Sequence, residues 1–402
     1  MFVGRYDMSN EMSNEMSNEM SNEMSNEMSN EMSNKMSNII HKNPWVTNNK
    51  TYTIMKYNKS MLTRDNIATI GLYRSVIMSN NKINVFSPPK GLKFNEFQQY
   101  YSESECLAEE FVEGTMINLF YDTDVDKWEI ASKSTVGCSI TFFKDQPTFR
   151  ELFYDICNDL SINFNDFSKD CCYSFIIQHP KNKFVIPIIA KKLYLISIYK
   201  IDNENKLVEE LPREIFSQNI SVPNWFKFNS YKDLYTYYTS TNLDASIMGI
   251  VIRHKDGARS KIRNPNYEYI KQLRGNHCKL QYQYLSLRKL NRVKEYLMYF
   301  PEKKTELLNY RLQLHNYTDT LYINYINCFI KKEKPLKEYS HQFKLHMYNL
   351  HQYYLSIRND NGYINKNIVI NYVNNLQPAQ IMYVLNYHLR EVSKAHIMED
   401  AP

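Results

Sequence analysis

Short apolar runs separated by turn signals fill the chain from about residue 46 to residue 270. Residues 71–78 (GLYRSVIM) and 82–87 (KINVFS) flank Ser79, Asn80 and Asn81. Residues 115–122 (TMINLFYD) and 127–134 (KWEIASKS) flank an acidic turn, and 247–254 (IMGIVIRH) and 258–264 (ARSKIRN) flank Lys255, Asp256 and Gly257. Each pair predicts a β-hairpin, because Asn, Asp and Gly accept the backbone conformations that tight turns need. Residues 171–178 (CCYSFIIQ), 183–190 (KFVIPIIA) and 193–201 (LYLISIYKI) are near-continuous apolar runs and predict buried strands. Thr148 and Glu151 make a capping box at the head of the amphipathic run 148–160, which predicts a helix. This half reads as α+β with antiparallel pairing.

After Gly275 the β signals stop and a helical period takes over. Leu336, Tyr339, Phe343, Met347, Leu350 and Tyr354 step by three or four and share one face, with His341, Lys344, Tyr348 and His351 on another. Residues 271–402 therefore read as an all-helical domain. At the other end, residues 8–38 are a tandem tetrapeptide, MSNE with one MSNK. A period of four drifts by about 40° per repeat against the helical turn, so no methionine seam forms. The expected organisation is a disordered repeat tail over 1–45, an antiparallel-sheet domain over 46–270 and a basic helical domain over 271–402.

A length of 402 residues fits more than one domain, and 43% hydrophobic with 23% charged residues leaves a core to bury. No apolar run reaches membrane-spanning length and no basic-then-apolar leader opens the chain, so an intracellular protein without a membrane partner is expected. The seven cysteines show no CxxC and no histidine-rich spacing, which reads as reduced thiols and no metal site. Nine Gly beside 33 Tyr is a skew that stability does not require; it reads as an AT-rich genome, such as that of a large DNA virus or a protist. Charge is uneven: residues 271–345 hold 15 basic and 6 acidic side chains, a net of +9. Just before and at the start of this segment lie Arg253, Lys255, Arg259, Lys261, Arg263, Lys271 and Arg274, interleaved with Tyr267 and Tyr269 and followed by Tyr282 and Tyr284. Cations alternating with aromatic rings suit a phosphate backbone with stackable bases, although a solvated helix face has the same composition.

The segments FVEGTMINLFYD, WEIASKSTVG, YSFIIQHPKNKFVIP and MGIVIRHKDGARSKIRNPNY, in this order over roughly residues 70–270, resemble the nucleotidyltransferase domain of phage-type ATP-dependent RNA ligases. YRSVI and SPPKGLKFNEF resemble the segments upstream of the ligase lysine. The resemblance implies that fold, followed here by helices. It also implies which positions matter. A lysine three residues before the motif glycine becomes the lysyl-AMP in that family; Gly114 is present, but Phe111 occupies the lysine position, and a phenyl ring is no nucleophile. Ile176 aligns with a glutamate of the third motif. Met248, before Gly249, stands where the fourth motif has its metal-holding glutamate. The paired lysines of the fifth motif are Lys261 and Arg263, with Tyr267 following, while Lys133 and Arg74 match cations near the nucleotide or the RNA end.

Three catalytic positions have thus become apolar, as expected of a pocket that no longer holds a triphosphate and metal. The leading expectation is an RNA-ligase-like protein, catalytically degenerate, that binds RNA or DNA ends through its basic tract and needs no cofactor. Two alternatives stand beside it. One is an active RNA ligase or nucleotidyltransferase with an unrecognised nucleophile, using ATP and Mg. The other is a viral structural or interaction protein with a basic helical domain, partnered by viral proteins in the host cytoplasm or the virion.

Overall fold

A computed structural model describes residues 5–8, 39–47, 49–141, 146–213 and 219–390. Two compact units divide the chain, Met1–Lys271 and Gln272–Pro402. In the first unit the strands are β1 (Arg5–Asp7), β2 (Ile40–Thr47), β3 (Lys50–Tyr57), β4 (Val76–Ser79), β5 (Lys82–Phe86), β6 (Cys106–Glu110), β7 (Thr115–Asp122) and β8 (Lys127–Ala131). Then come β9 (Cys171–Gln178), β10 (Lys192–Asp202), β11 (Leu207–Leu211), β12 (Trp225–Phe226), β13 (Gly249–His254) and β14 (Arg259–Arg263). They form three antiparallel sheets with orders β1-β11-β10-β9-β7-β8, β12-β6-β13-β14 and β2-β3-β4-β5. The helices of this unit are α1 (Phe94–Tyr100), α2 (Phe149–Asp159), α3 (Tyr231–Tyr238) and the start of α4 (Pro265–Arg274). The class is α+β, with antiparallel sheets.

The local signals explain the hairpins. Asn80 and Asn81 both adopt positive φ (48° and 60°), which closes β4 onto β5 with Ser79 opposite Lys82. Asp126 (φ 50°) does the same between β7 and β8, and Gly257 (φ 91°) between β13 and β14. The Thr148 hydroxyl accepts from the Glu151 amide and the Glu151 carboxylate from the Thr148 amide, so the expected capping box opens α2. That helix lays Leu152, Phe153 and Ile156 against Phe175, Ile177 and Leu195 of the central sheet.

Strand β9 is largely apolar and almost wholly buried because both of its faces are covered. Tyr173, Phe175 and Ile177 face α2, Cys172 packs with Ile54, Ile77 and Val85 of the β2–β5 sheet, and Ile176 joins Val112 and Tyr194. The two-residue period therefore sends Ile176 away from the α2 core and into a separate apolar group.

Two expectations are corrected. Residues 183–190 are not a strand: Pro187 has no amide hydrogen, and the amides of Val185 and Ile186 donate to the Glu113 carboxylate instead of to a ladder. Nor is the whole of 1–45 a tail. β1 pairs with the free edge of β11, Arg5 opposite Glu209, and the Met8 amide donates to the Lys206 carbonyl at 2.9 Å. Met8 and Ile40 are buried, and the Tyr6 ring lies 5.3 Å from that of Phe86. The expectation of disorder for the repeat itself, residues 9–38, lies outside the described residues.

In the second unit every described element is helical: α5 (Leu280–Lys289), α6 (Val293–Tyr299), α7 (Lys304–Tyr325), α8 (His341–Ile357), α9 (Lys366–Asn375) and α10 (Pro378–Leu385), with short single turns between. Tyr339, Phe343, Met347 and Leu350 of the expected stripe are all buried, and Phe343 stacks on Tyr317 of α7 at 5.2 Å. Among the described residues, no helix is long and apolar enough to cross a membrane.

Candidate functional site

The end of β6, the turn into β7 and the outer strand β14 enclose a cavity of about 280 Å³. Its wall begins with the run Glu109–Gly114. Gly114 (φ +152°) is held where a Cβ would stand 2.4 Å from the carbonyl oxygen of Ile177, and Gly249 (φ +132°) where one would stand 2.2 Å from that of Ile262. Both motif glycines are therefore required by close backbone approach. Between them, Phe111, Ile176 and Met248 all line the cavity. The three positions at which the resemblance expects Lys, Glu and Glu thus meet at one place as apolar side chains.

Opposite this apolar wall stand the cations. Lys261 Nζ lies 4.1 Å from the centre of the Phe111 ring and Arg263 Cζ 5.6 Å from it, so an amine and a guanidinium face one π surface. Burial, followed by the neighbouring Arg74, Arg259 and Arg263, pushes the Lys261 ammonium down to about 6. Arg74 is depressed for the same reasons, burial first and Arg259 next, and Lys90 by burial and Arg74. Arg74 and Arg259 donate to the carbonyls of Pro88 and Pro89 at 3.3 and 2.7 Å. Arg263 pairs with Glu268 of α4. Among the described residues neither Arg74 nor Lys261 has a carboxylate within ion-pair distance. Like charges held this close in a partly dry site favour a bound anion.

Arg253 also borders the cavity, but it is committed elsewhere. Its guanidinium donates to Glu109 at 2.9 Å, Glu210 at 2.8 Å, the Ile196 carbonyl at 3.0 Å and Ser197 at 3.1 Å, tying β13 to β6, β11 and β10. Burial works against its charge and the two carboxylates outweigh that, raising its pKa.

The surface assignment is corrected in part. Arg253, Arg259 and Tyr267 are buried and offer nothing to a polynucleotide on the exterior. Tyr284 is buried as well, so two of the four tyrosines expected to stack on bases are core residues; Tyr269 is 44% exposed. Lys255 is exposed and pairs with Glu105, while Lys271 reaches both the cavity rim and Glu268 at 3.2 Å. Arg274 lies in the second unit, half-buried. Lys133 does not line the cavity; it sits 5.9 Å over the Tyr57 ring, its pKa lowered by burial and by Arg74.

Sequence reasoning passed over Glu113. Its buried carboxylate accepts from the amides of Val185 (3.2 Å) and Ile186 (3.1 Å) and from the Tyr267 hydroxyl, whose pKa rises through burial and that bond. Asn182 adds a bond to Thr115 at 2.9 Å. Together they pin the 179–186 segment beside the cavity and bring Phe184 to its wall. An acid directly before the motif glycine was the available signal. Among the described residues no group of three or more His, Cys, Asp or Glu could hold a metal ion; a phosphate would be met by Lys261, Arg263 and Arg74.

No family model matches the chain. A curated relative, the immediate-early protein ICP-46 homolog of invertebrate iridescent virus 3, is 27% identical over 206 residues, 49% of this chain and 43% of that protein. The match thus spans less than half of the relative's length. Among solved structures, the archaeal ATP-dependent RNA ligase in form 2 aligns with a TM-score of 0.42 at 11% identity, covering 69% of this chain and 71% of that one. Form 1 aligns with a TM-score of 0.35 at 9% identity, covering 70% of each.

Proposed function

We propose that this chain is an RNA-ligase-like protein that has lost nucleotidyl transfer and binds the phosphate-bearing end of a nucleic acid in the cavity beside Phe111. One observation carries the reading. The Lys261 amine stands over the Phe111 ring among Arg74, Arg259 and Arg263, without a carboxylate partner of its own. A buried cluster of positive groups raises the energy of the empty site, and an anion with several acceptor oxygens offsets that cost. The apolar residues at 111, 176 and 248 remove the nucleophile and the carboxylates that would hold a metal, so the anion is bound and not activated. A viral origin is supported by the likeness to the iridescent-virus protein, and the host cytoplasm or the virion is the setting proposed for it.

The test compares a single-stranded oligonucleotide carrying a 5′-phosphate with the same strand ending in a 5′-hydroxyl, by fluorescence anisotropy at several salt concentrations. The phosphorylated strand is expected to bind more tightly. Lys261→Ala with Arg263→Ala should abolish the difference, flattening the log–log salt slope of the 5′-phosphate strand alone by about one to two units, at about 0.7 per contact on a single strand. Equal binding of both strands, unchanged in the double variant, would overturn the reading.

A further inference from the structure

The second unit carries a basic groove of its own, built without any of the residues discussed so far except Tyr284. Helices α5, α6 and α7 border a cavity of about 360 Å³. Lys304, Leu308, Arg311 and His315 line it from α7, stepping by four, three and four, so they form one stripe; Arg288 faces them from α5. The stripe spans twelve residues of helix, about 16 Å from first to last. Its floor is apolar, made by Val293, Leu297 and Leu307. No acidic residue lines the groove. Two acids on the bordering helices are paired with other bases, Glu295 with Arg292 at 2.7 Å and Glu306 with Lys303 at 3.1 Å. Arg288 and Arg311, from different helices, both act electrostatically on the Tyr284 hydroxyl. Among the described residues Lys304, Arg311 and His315 have no ion-pair partner.

We infer that this groove binds a single-stranded polynucleotide, with backbone phosphates on Arg288, Lys304 and Arg311 and bases against the apolar floor. Two features favour this over an acidic polypeptide. Cations and apolar side chains alternate along the same wall, Leu308 between Lys304 and Arg311, which matches a polymer that presents charge and a flat apolar surface in each repeating unit. The surrounding segment, with a net of +9 over residues 271–345, attracts a polyanion as a whole. Duplex is disfavoured, because its base faces are already stacked on one another. The inference rests on the nucleic-acid reading proposed above, but uses a different set of side chains.

The experiment uses the full chain and its Lys304→Glu, Arg311→Glu variant; both side chains are exposed, so folding should survive. Lys304→Gln with Arg311→Gln is the milder companion. Binding of a fluorescent single strand with a 5′-hydroxyl is titrated against salt. The Glu variant should lose at least tenfold in affinity, and the Gln variant should lower the log–log slope by about 1.4, two contacts at about 0.7 each. Discrimination between 5′-phosphate and 5′-hydroxyl ends should persist in both variants, whereas Lys261→Ala with Arg263→Ala should remove only that discrimination. A parent protein that never discriminates the ends would overturn the cavity reading and leave the groove intact. Strand affinity and slope unchanged in both groove variants would overturn the groove, as would a loss confined to a labelled poly-glutamate peptide, which would assign the groove to an acidic protein.

Discussion

At the scale of single residues the decisive pair is Lys261 and Phe111. Where the resemblance expects an amine there is a ring, and an amine from β14, beyond β13 in the same sheet, lies over it. With its pKa pushed to about 6 by burial and by three arginines, Lys261 is neutral in the empty site at pH 7. Between about 6 and the ordinary 10.5 the unfolded chain binds a proton on this lysine that the folded chain does not. Its contribution to stability therefore rises with pH through that window and is least favourable below about 6. Lys261→Met should raise the melting temperature most at pH 6 and progressively less toward pH 10; a pH-independent difference would contradict the assignment. Sulfate, whose charge is constant over this range, should bind the parent more tightly as pH falls from 8 to 6, because its binding draws a proton onto Lys261 beside Arg74, Arg259, Arg263 and Lys90. Calorimetry in two buffers of different ionisation enthalpy reads that uptake directly. The convergence of positions 111, 176 and 248 was legible from motif order alone. The burial of Tyr267, Tyr284, Arg253 and Arg259 was not, since a chain this rich in tyrosine gives a core ring and a surface ring the same letter, and the partners of Arg253 come from strands far away in sequence.

At the scale of elements, what was legible had a local cause. The β4–β5 turn is set by two adjacent asparagines and the start of α2 by a capping box four residues long, so no distant contact was needed to see either. Residues 183–190 looked like a strand because their apolar content was visible and their hydrogen-bond partner was not: Glu113, about seventy residues earlier, takes the amides of Val185 and Ile186. Glu113→Ala should leave those donors and the Tyr267 hydroxyl unsatisfied and lower stability by about 1–3 kcal/mol in urea denaturation. A change below about 0.5 kcal/mol would mean that the segment is held by packing instead. β1 escaped notice because three residues carry almost no periodicity and their partner lies some two hundred positions along the chain. Removing residues 1–8 exposes the edge of β11 and uncovers Phe86 and Tyr199, which pack against Tyr6. The expected outcome is a melting temperature lower by several degrees, at about 2 kcal/mol for the apolar surface lost. An unchanged melting curve would show that the strand is dispensable.

At the scale of the whole molecule, each unit presents a concentration of cations that its own acids do not neutralise. In the first it surrounds a cavity walled on one side by Phe111, Ile176 and Met248; in the second it lines an open groove between helices. The boundary between sheets and helices was legible because the hydrophobic period changes near residue 275 and the charge balance changes with it. The division of labour inside the basic tract required the fold, which turns some of its members into the core and leaves others lining the cavity or facing solvent. The central claim is that the cavity binds phosphate without forming a bond to it, and the most direct test is incubation of the full chain with ATP labelled at the α-phosphate and a divalent metal, followed by a denaturing gel. The account expects no label to travel with the protein. A labelled band that survives denaturation and is released by acid, as a lysine phosphoramidate would be, would contradict it.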